Sequence, residues 1–201
     1  MHAFLFALAT LGAVDWFGSD CQEFVPRSAV QPAAGVTRVV VIGRAGFLHI
    51  EGRNDVSEIR ASGTACAPIE HLLVAILLKA TRSGSTVTIE AMVPNQDGGR
   101  FESGPKLDFT VTLPSGIDVY VADTSGDLTI SNVRSASVSD TSGDIRIERV
   151  RGSVTIDEDG SGSVDVSDVG GDFTLRSKSS GSVDYHRVAG HVSIPDRYRR
   201  K

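Results

Sequence analysis

Aspartates recur at matched positions in the second half of this 201-residue chain. Asp123, Asp140 and Asp159 share one repeat position, Asp127 and Asp144 share another, and Lys178 takes the fourth place of the first set. Carboxylates stacked at a fixed interval repel one another, and an oxygen-seeking cation such as Ca²⁺ relieves that repulsion. Asp123, Asp127, Asp140 and Asp144 are therefore the candidate metal ligands, with Ca²⁺ as the candidate cofactor. The competing account is structural, because aspartate at a turn accepts hydrogen bonds from neighbouring backbone N–H groups. The structural account is preferred: the glycine-rich nonapeptide of calcium β-rolls is absent, and Lys178 interrupts the set. The expectation is no bound metal and no cofactor.

Paired carboxylates could also cleave polysaccharides. Here the acidic positions follow the repeat, whereas an active site should break it, and no long insertion builds a cleft. The chain holds no Gly-x-Ser-x-Gly elbow, no His-Glu-x-x-His zinc helix and no phosphate-binding loop. His186 and His191 read as surface residues. No catalytic residue is expected. The two cysteines, Cys21 and Cys66, lie too far apart in sequence for half of a zinc site. In an exported chain two cysteines pair, and closing that loop would stabilise by about 4 kcal/mol.

What positions these residues is an internal repeat. Gly126, Gly143, Gly162 and Gly181 are 17, 19 and 19 residues apart. Ser135, Gly152, Gly171 and Gly190 keep the same steps, as do Asn132-Val133, Arg149-Val150, Asp168-Val169 and Arg187-Val188. Each copy carries two runs of period-two alternation, such as Ile145, Ile147, Val150 and then Val154, Ile156, which is the strand signature. One unit has a single apolar face and cannot bury it alone, so units must stack. The fold class expected is all-β: a single-stack β-solenoid of about 17–19-residue two-strand repeats, with a less regular N-terminal β region. An antiparallel meander is the alternative, but hairpins have no need of so strict a period.

Four segments follow. Residues 1–20 carry an apolar run from Ala3 to Val14, about as long as a signal-peptide core and too short to span a bilayer. Residues 21–122 form the N-terminal β region and cap, in which 36–63 should be the first, capping rung. Pro68 opens a short helical turn to about Leu73, two strands follow to Val93, and Pro94 to Pro105 is a glycine-containing loop. Leu107 to Leu113 is a strand. Residues 123–194 are the regular repeats. Residues 195–201 are a basic tail, in which Pro195 withholds a donor and protects the exposed end of the stack. With 40% hydrophobic residues the chain can bury a sizeable core. A net charge of −5 argues against nucleic acid as a partner.

At its glycine corners the chain resembles a known group. Thr124-Ser125-Gly126-Asp127-Leu128-Thr129-Ile130 and Thr141-Ser142-Gly143-Asp144-Ile145-Arg146-Ile147 are similar to the serial Ser-Gly-Asp units of the bacterial "putative adhesin" β-strand-repeat family, whose function is unknown. The lead-in Leu107–Pro114, followed by Ile117-Asp118-Val119, fits the same pattern. The resemblance covers 36–194 and departs from the family at Ser161-Gly162-Ser163 and Ser180-Gly181-Ser182. It implies a β-solenoid in an exported bacterial protein and brings no catalytic residues with it. The sequence thus predicts a non-enzymatic, periplasmic or secreted binding or structural protein without a transmembrane span. Its partner is not legible beyond an envelope glycan or a cell-surface protein. The alternatives are a polysaccharide-active enzyme on the same scaffold and a self-polymerising scaffold.

Overall fold

The computed structural model describes residues 23–94 and 104–198. The apolar segment within 1–20, Cys21, most of the Pro94–Pro105 loop and the last three tail residues lie outside the described residues. In chain order the first strands are β1 (Glu23–Pro32), β2 (Arg38–Ile42), β3 (Leu48–Arg53) and β4 (Glu58–Ala67). A short helix, α1 (Glu70–Ala75), falls where Pro68 predicts a helical turn, and is followed by β5 (Leu77–Ser83), β6 (Thr86–Met92) and β7 (Lys106–Pro114). β8 (Asp118–Ala122) leads into the repeats, which supply β9 (Leu128–Ser131), β10 (Ser135–Ser142), β11 (Ile145–Val150) and β12 (Val154–Ser161). They continue with β13 (Val164–Val169), β14 (Phe173–Leu175), β15 (Val183–Val188) and β16 (Val192–Ser193).

Alternation decides how these strands pack. Inward positions are apolar and outward ones polar, so each strand has one face to hide. Two mixed eight-stranded sheets result, ordered β1-β4-β7-β3-β9-β11-β13-β15 and β16-β14-β12-β10-β8-β2-β6-β5. Each repeat gives one strand to each sheet, and successive repeats pair in parallel. That pairing excludes the antiparallel meander for this part of the chain.

The register puts like on like. Leu48, Leu128, Ile145, Val164 and Val183 form one column in the first sheet. Val41, Val121, Val138, Ile156 and Leu175 form one in the second. Both columns belong to the shared core between the sheets, where each fully buried aliphatic side chain contributes roughly 1.5–3 kcal/mol.

The glycine register has a steric cause. Gly143 has φ 137°, and a Cβ built on it would lie 2.0 Å from the carbonyl oxygen of Gly126. No larger residue fits such an approach. Gly46 shares this left-handed column, one rung below Gly126.

One expectation is corrected. The sequence points to 36–63 as the first, capping rung. Instead β2 and β3 are interior, flanked by β6 and β7 on one side and by β8 and β9 on the other. Its last strand, β4, runs antiparallel to both β1 and β7. The cap at this end is built from β1, β4 and β5. There side chains replace a ladder: Arg27 donates to the carbonyls of Ile76 and Leu73, Gln31 to Ala80, and Arg82 to Pro32 and Ala34.

Candidate functional site

The two aspartate sets predicted from sequence have separate environments. Asp127 and Asp144 sit at the exposed glycine corner. Asp127 Oδ1 accepts the N–H of Asp144 at 3.2 Å, and Asp144 Oδ1 accepts the N–H of Ser163 at 2.7 Å. Asp108 does the same for Phe47 at 2.8 Å. These carboxylates tie one rung to the next and have turn roles.

Asp123, Asp140 and Asp159 point inward. They are 7%, 3% and 1% exposed, and Lys178 completes the column at 1%. Lys178 donates to Asp159 Oδ2 and to the carbonyl of Gly162, the latter at 2.7 Å. On the opposite side the column ends at Gly43, where a Cβ would lie 2.4 Å from Asp123 Oδ1. The Asp123 carboxyl thus fills the notch that the missing side chain leaves.

The column is under-satisfied. Asp123 Oδ1 accepts the N–H of Thr124 at 2.8 Å, but Asp123 Oδ2, both oxygens of Asp140 and Asp159 Oδ1 are buried without a hydrogen-bond partner. Desolvation pushes the Asp123 carboxyl up to about 7, helped by the neighbouring Asp140 and opposed by the Thr124 N–H. Desolvation likewise raises Asp140 to about 6, with Asp159 adding to the rise. The Thr141 and Ser142 amides and Lys178 draw Asp140 down in part. Those two amides lie near the carboxyl, yet neither satisfies its oxygens in hydrogen-bonding geometry.

Among the described residues, no group of three or more His, Cys, Asp or Glu side chains is arranged to hold a metal ion. His186, in β15, and His191, in the turn before β16, are both exposed. Cys66 is buried in β4. Its predicted partner, Cys21, lies outside the described residues.

A second feature escaped sequence reasoning. Asn132, Arg149, Asp168 and Arg187 all have left-handed backbones, with φ of 57°, 56°, 55° and 52°. The conformation is uncommon for residues other than glycine, and here it turns each rung at the same corner. The signal was present as the Asn-Val, Arg-Val, Asp-Val, Arg-Val register, but spacing alone does not reveal φ. The side chains form a polar ladder: Arg149 Nε donates to Asn132 Oδ1 at 2.9 Å, and Arg187 Nη2 to Asp168 Oδ2 at 2.7 Å. The Arg187 guanidinium holds the Asp168 carboxyl below its ordinary range. Beside this ladder an open cleft of about 600 Å³ is lined by Asn54, Ser115, Asn132, Arg149, Arg151 and Asp168, among others. Arg151 reaches across it to the Ser115 carbonyl.

No family model and no curated protein sequence matches the chain. Among solved structures it is similar to a putative cell adhesion protein from Clostridium sporogenes, at 12% identity, covering 85% of this chain and 99% of that one, with a TM-score of 0.47. It is also similar to a putative adhesin from Parabacteroides distasonis, at 9% identity over 86% of this chain and 73% of that one, with a TM-score of 0.35. A putative lipid binding protein from the same organism is similar at 10% identity, over 84% and 97% of the two chains, with a TM-score of 0.24.

The corner cleft is polar, with both charge signs and two amide side chains within reach. Such a surface can hydrogen-bond hydroxyl-rich ligands and hold a carboxylate in an arginine fork. Among the described residues no helix is long and apolar enough to cross a membrane.

Proposed function

We propose that this chain is a non-enzymatic, exported β-solenoid with an adhesin-like or envelope-associated role, and that its corner cleft binds envelope glycan. The solenoid is a single coil of stacked two-strand rungs. Parallel pairing between successive repeats supports it, as do the Ser-Gly-Asp corners that resemble the "putative adhesin" family. In this reading 1–20 directs export, 21–122 forms the N-terminal β region and cap, 123–194 carries the regular repeats, and 195–201 is a basic tail. Cys21 and Cys66 pair once the chain is in the periplasm or outside the cell.

The observation that carries the binding role is the polar ladder along the left-handed corner. Asn132, Arg149, Asp168 and Arg187 repeat one rung apart, and the first three line the cleft. A ligand with its own repeat, such as a polysaccharide, can meet such a ladder at several rungs at once. Asp127, Asp144 and Asp168 support a non-enzymatic reading through their partners. Asp127 and Asp144 hold backbone amides, and Asp168 holds Arg187.

Binding of the purified protein to a panel of acidic and neutral bacterial polysaccharides tests the proposal. Arg151→Glu should abolish the binding, and Arg146→Glu on the outer face of β11 should leave it intact. Equal loss in both variants, or no binding to any polysaccharide, overturns the cleft as the site.

A further inference from the structure

The buried aspartate column has no part in that binding role, and its charges do not balance. Three carboxyls face one ammonium, and four carboxylate oxygens have no hydrogen-bond partner. A buried carboxylate without a partner is costly, and the usual escape is to keep its proton. Lys178 lies against Asp159 and is the cation of the column, two rungs beyond Asp140 and three beyond Asp123. The groups facing Asp123 and Asp140 follow from the packing. Gly43, just after β2, brings no charge, and Arg44 beside it is exposed. Thr124, Ser125, Thr141 and Ser142 at the corners do not titrate near neutrality, and Asp159 and Lys178 follow from the next two rungs.

We propose that Asp123 and Asp140 form a proton-held lock inside the stack, closed while the carboxyls keep their protons and loosened at the Gly43 seam when they lose them. The seam joins the out-of-sequence rung β2–β3 to the first regular rung β8–β9. It is held by backbone bonds from Gly43 N to Ala122 O at 2.9 Å, Ser125 N to Arg44 O at 2.9 Å and Leu48 N to Asp127 O at 3.0 Å. Ionised Asp123 would press a desolvated charge into the Gly43 notch with Asp140 repelling it from behind.

The sign of the pH dependence follows. Both carboxyls are raised above their ordinary value, so between that value and about 7 the folded chain holds more protons than the unfolded one. Stability from this source is complete below the ordinary carboxylate value and is lost as pH rises from there through about 6 to 7. The lock is closed in mild acid and released toward alkaline pH.

Thermal unfolding and hydrogen exchange of the whole protein test it. Between about pH 5 and pH 8 the wild-type melting temperature should fall by roughly 5–10 °C. Asp140→Asn should flatten that slope and melt higher than wild type at the alkaline end. Asp165→Asn, which removes the same charge from a half-exposed site beside Arg146, should keep the wild-type slope. After correction for intrinsic rates, exchange at Gly43, Leu48 and Ser125 should quicken at alkaline pH while Ile147 and Val166 stay protected. The infrared band of protonated carboxyl should be present at about pH 5 and weaker in Asp140→Asn. A flat wild-type profile overturns the lock. So does a slope shared equally by both variants. So does a wild type whose alkaline loss is abolished by added Ca²⁺, which would make the column a cation seat instead.

Discussion

Lys178 and Asp159 make a salt bridge across one rung with neither side chain more than 1% exposed. Burying two charges gains little over an apolar pair, but stranding one of them is costly. Lys178→Met should therefore cost about 3–5 kcal/mol in urea unfolding near neutrality. Adding Asp159→Asn should restore most of the loss. If the single and double variants were equally unstable, Lys178 would act through packing and not through charge.

The core columns predict a sharp contrast. Val166 is fully buried between Ile147 and Tyr185. Val166→Asp should cost more than about 4 kcal/mol, enough to unfold the protein or nearly so. Unchanged melting would mean that the repeat phase is wrong.

Glycines at the two kinds of turn should differ in their tolerance. Gly84 in the β5–β6 hairpin has φ 60° and open space around it, so Gly84→Ala should cost only about 1–2 kcal/mol of backbone strain. Gly143→Ala adds a clash with the Gly126 carbonyl and should be far more damaging. Circular dichroism melts of the two variants side by side give the answer.

Asp127 accepts one backbone N–H at an exposed corner, and asparagine can accept it too. Asp127→Asn should stay within about 0.5 kcal/mol of wild type, whereas Asp127→Ala should lose about 1 kcal/mol. A calcium-dependent stability that disappears in Asp127→Asn would instead assign this corner a metal.

Reduction tests the proposed pairing of Cys21 with Cys66. Protein exported to an oxidising compartment should lose about 4 kcal/mol on reduction, the chain-entropy value for a loop of this length. No loss would leave the bridge unformed and would remove one support for export.

The repeat made much of the fold legible. Steps of 17 and 19 with period-two alternation placed β9 to β15, because parallel pairing of successive repeats returns each residue type to the same place. Leu107 to Leu113 was legible as β7 from its own alternation, and Pro68 marked α1. The rung β2–β3 was legible as strands but not as a neighbour of β8–β9. Gly43 and Gly46 belong to the columns of Asp123 and Gly126, yet β4 to β7 intervene in sequence and hide the common phase. At the candidate site, spacing identified the aspartate sets and Lys178. It could not separate the inward Asp140 from the corner Asp144, since both are Asp in a Ser/Thr-rich run. Nor could it show that Arg149 and Arg187 are left-handed, because arginine carries no turn signature of its own.

The place of β2–β3 between β6–β7 and β8–β9 makes the array extensible from one side only. A duplicated rung inserted after β9 meets the same upper and lower surfaces as its parent and leaves the crossing untouched. An extra rung placed among β4 to β7 would instead have to enter the crossing, where β2–β3 already separates β6–β7 from β8–β9. Lineages descended from this chain should therefore vary in copy number downstream of β9, while the stretch from β1 to β9 keeps a fixed count, as a hilt does for blades of different length.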